Sequence, residues 1–269
     1  MRVSVHHLPT GTYETPAALA VQGGSWRDKR SFAASAVLVR HPAGDLLIDA
    51  GFGAGLDLHL AMLPRYRRSP HTRGRTAAEQ LDAAGYDRSR LLGVVLTHTH
   101  WDHVSGLDAL DGTPIWMNDA EQKYAAREQV FQHVSQGRTI RSYGFPDGPY
   151  LGFPAAYDVH GDGSVVIALA GGHTPGSVIV FVTVISGRRY AFVGDLTWQL
   201  DGISRGAERP WLMRRLADDD PAVVREGLTR TRALSGPVHV VPAHDLAAYE
   251  PLPLLVPGAR GAAYGKTSG

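Results

Sequence analysis

Short apolar runs separated by turn residues dominate the chain. Ala36-Val37-Leu38-Val39, Leu46-Leu47-Ile48 behind the turn Pro42-Ala43-Gly44-Asp45, and Val94-Val95-Leu96 read as buried strands. The pattern returns at Pro114 to Met117, Val165 to Leu169, Val178 to Val182, Tyr190 to Val193 and Val238 to Val241, several of them β-branched as sheet-core strands tend to be. The opening Met1 to His7 alternates apolar and polar positions in the manner of a strand. Helical segments are fewer: Thr76 to Ala84 ending at Gly85, Asp119 to about Ser135 ending near Gly137, and Pro221 to about Leu234 ending near Gly236. Hairpin-like strand pairs interleaved with helices predict a layered α/β (α+β) domain with mixed sheets rather than a strictly alternating one. No long linker or short-period repeat interrupts residues 1–256, which are expected to form one domain. Pro257 to Gly269, rich in Gly, Ala and Ser, reads as a frayed tail.

A chain of 269 residues can bury a large core without covalent staples. The formal charge of 27 − 26 = +1 supplies no global field for nucleic acid or an anionic membrane, so neither is an expected partner. No apolar stretch approaches a membrane span, and the N-terminus lacks a signal-peptide pattern, so a cytoplasmic location is the expectation. Cysteine is absent, which removes disulfides, thiolate metal sites and cysteine nucleophiles together. Any bound metal must therefore be held by nitrogen and oxygen.

Three histidines and an aspartate fall within His98-Thr99-His100-Trp101-Asp102-His103, directly after an apolar strand. Residues two apart in extended chain point to the same side, so His98 and His100 can converge on one ion while Asp102 and His103 face a second. Burying these groups without partners would cost several kcal/mol, and coordination to a cation offsets that cost. Gly171-Gly172-His173-Thr174-Pro175-Gly176, Val193-Gly194-Asp195 and Val240-Val241-Pro242-Ala243-His244-Asp245 set the same residue types at strand ends, each beside a turn-forming glycine or proline. The histidines outside these segments read as structural or exposed, with His239 placed to support the site from the adjoining strand.

In this order of motifs the sequence resembles the metallo-β-lactamase fold superfamily of metal-dependent hydrolases. The resemblance implies an αββα sandwich of two mixed sheets flanked by helices, with the site at one edge. It implies that His98, His100 and His173 bind one divalent ion, that Asp102, His103 and His244 bind another, and that Asp195 bridges both. Zinc suits such a donor set, and manganese, cobalt or iron are accepted by the same groups. Asp49, in Leu47-Ile48-Asp49-Ala50-Gly51, matches a segment that supports the histidine loop in the family.

Two ions sharing one water can supply hydroxide near neutral pH, which makes hydrolysis of a small-molecule ester or lactone the expected reaction, with Asp102 orienting the hydroxide and delivering a proton. Among compact members the chain looks most like the N-acyl homoserine lactonase group. It departs at Trp198, where those enzymes carry a tyrosine that hydrogen-bonds the substrate carbonyl; an indole can donate one hydrogen bond but not transfer a proton as a phenol might. A glyoxalase II-like thioesterase and a metal-dependent phosphodiesterase are the alternatives, and a non-catalytic metal-binding module the third. Phe131, Tyr143, Phe145, Tyr150, Phe153, Tyr157, Trp198, Trp211 and Met213 either form an acyl cleft or pack loops. The arginines at 65, 67, 68, 73 and 75 form a solvated face, an anion site or a contact with a second subunit in a homodimer.

Overall fold

The computed structural model describes residues 3–256. The tail expected at Pro257 to Gly269 lies outside them. Twelve strands are present among the described residues: β1 Ser4–Pro16, β2 Lys29–Arg40, β3 Asp45–Ile48, β4 His71–Arg73, β5 Leu91–Val95, β6 Ile115–Asn118, β7 Ile140–Tyr143, β8 Ala156–Asp158, β9 Val165–Leu169, β10 Val178–Thr183, β11 Arg189–Phe192 and β12 Val238–Val241. They form two sheets, one of order β4-β1-β2-β3-β5-β6-β7 and one of order β12-β11-β10-β9-β8. Both are mixed: β3, β5, β6 and β7 pair in parallel, as do β11 and β12, and the remaining pairs are antiparallel.

The alternation in the sequence sets the layering, because successive side chains of a strand face opposite ways. Val37 and Val39 of β2 point between the sheets, where they meet Val178, Val180 and Val182 of β10. Ala34, Ala36 and Leu38 point outward against Leu56, Leu60 and Leu81 from the helices Leu56–Met62 and Ala77–Ala83. On the second sheet Val166, Ala168, Ile179 and Phe181 pack against Val224 and Leu228 of the helix Pro221–Leu234. Strands buried on both faces are read as continuous apolar runs for this reason. The outcome is the αββα sandwich that the motif order implied.

The helix Ala77–Ala83 begins at Thr76 with a reciprocal capping box to Glu79, and Pro221–Leu234 begins at the capping carboxylate of Asp220. One expectation is corrected. The segment from Asp119 to Ser135 is two helices, Asp119–Ala125 and Gln129–Val134, separated by an extended Glu128. The break turns Val130, Phe131 and Val134 onto the outer core already occupied by Ala125, and no glycine or proline marks it.

Strands β3, β5, β9, β11 and β12 carry the site-bearing turns at their C-terminal ends. Antiparallel pairing of β9 and β11 with β10, and parallel pairing of β11 with β12, points β9, β11 and β12 the same way. Where this edge meets the first sheet, the Val178 N–H donates to the Thr97 carbonyl at 2.9 Å and joins the two sheets beside the histidine loop.

Candidate metal centre

All seven residues singled out as ligands come together at that edge, in two buried clusters. His98, His100, His173 and Asp195 form one, and Asp102, His103 and His244 the other, with the donor atoms of each within 4.8 Å of one another. In the first, His100 Nδ1 lies 3.1 Å from His98 Nε2 and 2.9 Å from His173 Nε2. Asp195 Oδ2 stands 3.4 Å from His173 Nε2 and 3.9 Å from His98 Nε2. Its other oxygen, Oδ1, stands 2.9 Å from His244 Nε2 and 3.2 Å from His103 Nε2, and Asp102 Oδ2 completes that cluster 3.6 Å from His244 Nε2. The two oxygens of Asp195 are thus divided between the clusters. Gly194 makes this possible: at φ +51°, a Cβ there would fall 2.9 Å from the Thr97 side chain.

The five imidazoles each have their remaining nitrogen occupied. His103 Nδ1 donates to Asp49 Oδ2 at 2.8 Å, and His173 Nδ1 to Asp218 Oδ1 at 3.0 Å. His244 Nδ1 donates to the Ala33 carbonyl at 2.7 Å, His98 Nδ1 pairs with Thr97 Oγ1 at 3.2 Å, and His100 Nε2 pairs with the Tyr124 hydroxyl at 2.9 Å. Such partners fix each ring's tautomer and leave the inward nitrogen with a free lone pair. Asp49 also accepts from the Thr97 N–H at 2.7 Å and the Thr97 hydroxyl at 2.8 Å, and holds an unusual backbone φ of +55° to do so. The support expected of Asp49 is therefore present in the geometry.

Burial, then the charge of neighbouring rings, pushes His98 and His100 well below the ordinary imidazole range, and burial lowers His173 against the pull of Asp218. All three shifts favour the neutral ring. At His103 burial acts in the same direction, but Asp49 and Asp195 outweigh it and raise the ring well above its usual value; at His244 Asp195 and Asp102 likewise outweigh burial and raise the ring. Burial disfavours the charged form of Asp195, yet His244 and His103 hold it well below the carboxylate range. This end of the centre demands positive charge, which a proton or a divalent ion supplies.

A cation fits. His103 Nε2, His244 Nε2 and Asp195 Oδ1 are buried without a hydrogen bond, and they face one another. Unpaired buried polar atoms cost about 1–3 kcal/mol each. Four donors about 2.0–2.1 Å from one ion stand about 3.3 Å apart, and the donor separations above scatter around that spacing.

Trp198, expected to act beside the ligands or against substrate, donates its indole N–H to Asp195 Oδ2 at 2.7 Å and lines a cavity of about 310 Å³ over the clusters. Tyr13, Leu19, Phe32, Arg67, Trp101, Met213 and Leu216 line the same cavity. Of the aromatic stretches, only Trp198 and the neighbouring Met213 are among those lining residues; Phe131 and Phe153 belong to the outer cores, and Tyr143, Phe145 and Tyr157 to the space between the sheets. His239 does not reach the centre, since its Nε2 pairs with the Ala248 carbonyl at 2.7 Å. Of the arginine run, Arg67 reaches the cavity, while Arg68 donates to the Leu63 and Ala61 carbonyls.

Sequence reasoning missed four supports. Glu121, buried, accepts from the Thr99 N–H and hydroxyl at 2.7 Å each and from the Thr174 hydroxyl at 2.6 Å, tying the two histidine loops together. Asp218 holds His173, and Arg209 donates to Asp218 Oδ1 at 2.8 Å and to the Asp195 carbonyl while stacking 4.5 Å over Trp198. Tyr13 donates to Asp102 Oδ2 at 2.9 Å, and burial followed by the Asp102 and Asp195 charges holds its phenol far above the usual value. The run Asp218-Asp219-Asp220 signals a helix cap, a task only Asp220 performs, and Tyr13 is one polar position in an alternating strand.

A four-layer sandwich with this His and Asp centre at its edge defines a class, the metal-dependent hydrolases. The family model of the Metallo-beta-lactamase superfamily matches residues 31–244, and the chain belongs to that superfamily. It is 29% identical over 227 residues to a probable metallo-hydrolase of Mycobacterium tuberculosis, covering 79% of this chain and 68% of that protein. It is 25% identical over 232 residues to the N-acyl homoserine lactonase AttM of Rhizobium johnstonii, covering 79% of this chain and 81% of the relative. In fold it is similar to an N-acyl homoserine lactone hydrolase solved with N-hexanoyl-L-homoserine at its catalytic metal centre, at a TM-score of 0.74 and 16% identity over 94% of this chain and 98% of that one. Among the described residues no helix is long and apolar enough to cross a membrane.

Proposed function

We propose that the chain is a dinuclear metal lactonase that opens the ring ester of an N-acyl homoserine lactone or a similar lactone. One juxtaposition carries the reading: Asp195 divides its oxygens between two histidine clusters beneath a cavity walled in part by apolar side chains. In this reading His98, His100, His173 and Asp195 would hold one ion, and Asp102, His103 and His244, with Asp195 beside them, would hold the other. Two divalent ions, zinc in our proposal, supply Lewis acidity and make water a competent nucleophile near neutral pH. The chain's own residues do the rest. Leu19, Phe32, Met213 and Leu216 take up the acyl chain and exclude water, as apolar pocket walls do. Asp102, whose carboxylate lies between Tyr13 and His244, carries a proton from the attacking water to the departing ring oxygen. Each turnover consumes one water, breaks the ring C–O bond and yields a hydroxy acid.

The sequence relationship to AttM and the lactonase neighbours of like fold support this choice of substrate. The test is acid release in a pH-stat by metal-loaded protein offered an acyl homoserine lactone, a matched thioester and a phosphodiester. Release from the lactone, abolished by chelator, is expected. Release from the thioester or diester alone, or from none, would overturn the reading.

A further inference from the structure

Two side chains outside the ligand set aim a polar hydrogen at the carboxylates of the centre, and they are not equivalent. Trp198 has one N–H, which is spent on Asp195 Oδ2, an oxygen shared with the first cluster. Tyr13, which lines the same cavity, donates to Asp102, and a phenol can rotate its hydrogen about the C–O bond and accept as well as donate. Its position is tightly fixed. On β1 it is paired with Phe32 of β2 and His71 of β4, and its ring stands 5.3 Å from Phe32, 5.7 Å from Trp101 and 5.6 Å from His244. Tyr13 and Asp102 both line the cavity, and the hydroxyl stands one hydrogen bond from Asp102, which is itself 3.6 Å from His244 Nε2.

We propose that Tyr13 is a catalytic residue whose hydroxyl swings from Asp102 to donate a hydrogen bond to the oxygen that gains negative charge as the ester carbonyl becomes tetrahedral. Nothing is transferred in this step; the phenol keeps its proton and returns to Asp102 when the product leaves. Asp102, if it helps hold a divalent ion with His103 and His244, would be a weaker acceptor for the Tyr13 hydroxyl, which would then be available to a developing oxyanion. The inference rests on the proposed ester hydrolysis and applies to any carbonyl ester the centre attacks.

The test is Tyr13→Phe, which keeps the ring packing and deletes only the hydroxyl. Removing one donor to a developing oxyanion costs about 10²–10³ in kcat, so a fall of about 100-fold is expected, with KM within threefold and metal content equal to wild type by elemental analysis. Calorimetry gives a second answer whichever ester the wild type turns over. A tetrahedral phosphonate mimic should bind the variant at least tenfold more weakly, while the planar, unreactive lactam analogue binds both proteins alike. Unchanged kcat and phosphonate affinity, or loss of metal with normal turnover per loaded centre, would overturn the role and leave Tyr13 a support for Asp102. A wild type inactive on lactones but active on thioesters would count against the substrate reading, and Tyr13→Phe would then be judged on the thioester.

Discussion

Replacing Asp49 by Asn tests how the centre keeps the inward nitrogen of His103 free. The change is isosteric, and Asn tolerates the φ of +55° that Asp49 adopts, so backbone strain does not confound it. Asp49 receives three hydrogens, from the Thr97 N–H at 2.7 Å, the Thr97 hydroxyl at 2.8 Å and His103 Nδ1 at 2.8 Å. An amide has one accepting oxygen and one donating nitrogen. If the oxygen stays on the Thr97 N–H, the NH₂ meets His103 Nδ1 donor against donor; His103 escapes by moving its proton to Nε2, the atom that faces Asp195 Oδ1 at 3.2 Å. If the amide flips, its NH₂ opposes the backbone N–H and leaves a buried donor unpaired, at about 1–3 kcal/mol. Loss of such an outer partner costs about 10–100-fold in metal affinity, or about 1.4–2.7 kcal/mol, which agrees with that penalty. We expect competition with a chromophoric chelator to show this loss for one ion of the pair, with the other bound nearly as in wild type. Nitrogen-detected NMR of the imidazoles should show the His103 proton on Nε2 in the metal-free variant. Two ions bound within twofold of wild-type affinity, with the proton still on Nδ1, would refute the argument.

Glu121→Ala should lower unfolding free energy in urea by about 3 kcal/mol, because it strands the Thr99 N–H and hydroxyl in the interior, whereas Glu121→Gln, which keeps an acceptor for both, should cost about 1 kcal/mol; equal melts for the two would contradict this. His7, stacked on Tyr249 and paired with Ser35, is lowered by burial from 6.5 to about 4. The unfolded chain then binds the extra proton, so stability is complete above about pH 6.5 and falls as the pH drops toward 4; between pH 7 and 5 the wild type should lose about 2 kcal/mol more than His7→Asn in urea titrations, and equal losses would refute the assignment. Chelation should lower the melting temperature by scanning fluorimetry, since a free ion at a hundred times its Kd adds about 2.7 kcal/mol per site, and an unchanged melt would argue against ions held in the interior.

The sandwich was readable because its strands are short, doubly buried and set off by turn residues, so β9 and β10 emerge close to their apolar runs. The residues that gather in the two clusters were legible for a different reason: cation chemistry restricts residue type so severely that His98, His100, Asp102 and His103 stand out from the rest of the chain. Their supports carry no such restriction. Glu121 looks like a helix residue, Asp218 like part of a cap and Tyr13 like a strand residue, and only folding brings them within hydrogen-bond reach of the centre. The break between the helices Asp119–Ala125 and Gln129–Val134 was invisible because tertiary packing, not a breaker residue, imposes it.

The bond from His244 Nδ1 to the Ala33 carbonyl joins positions 211 residues apart. Closing a loop of that length costs chain entropy before the bond can form, so the second cluster depends on contacts between distant parts of the chain. His244 also follows β12, which is paired with β11 alone at the border of its sheet. The second cluster is consequently absent from every partly assembled form of the sandwich in which β12 has not docked. An ion held there reports on completed topology, and its capture marks the passage from a collapsed chain to the finished catalyst.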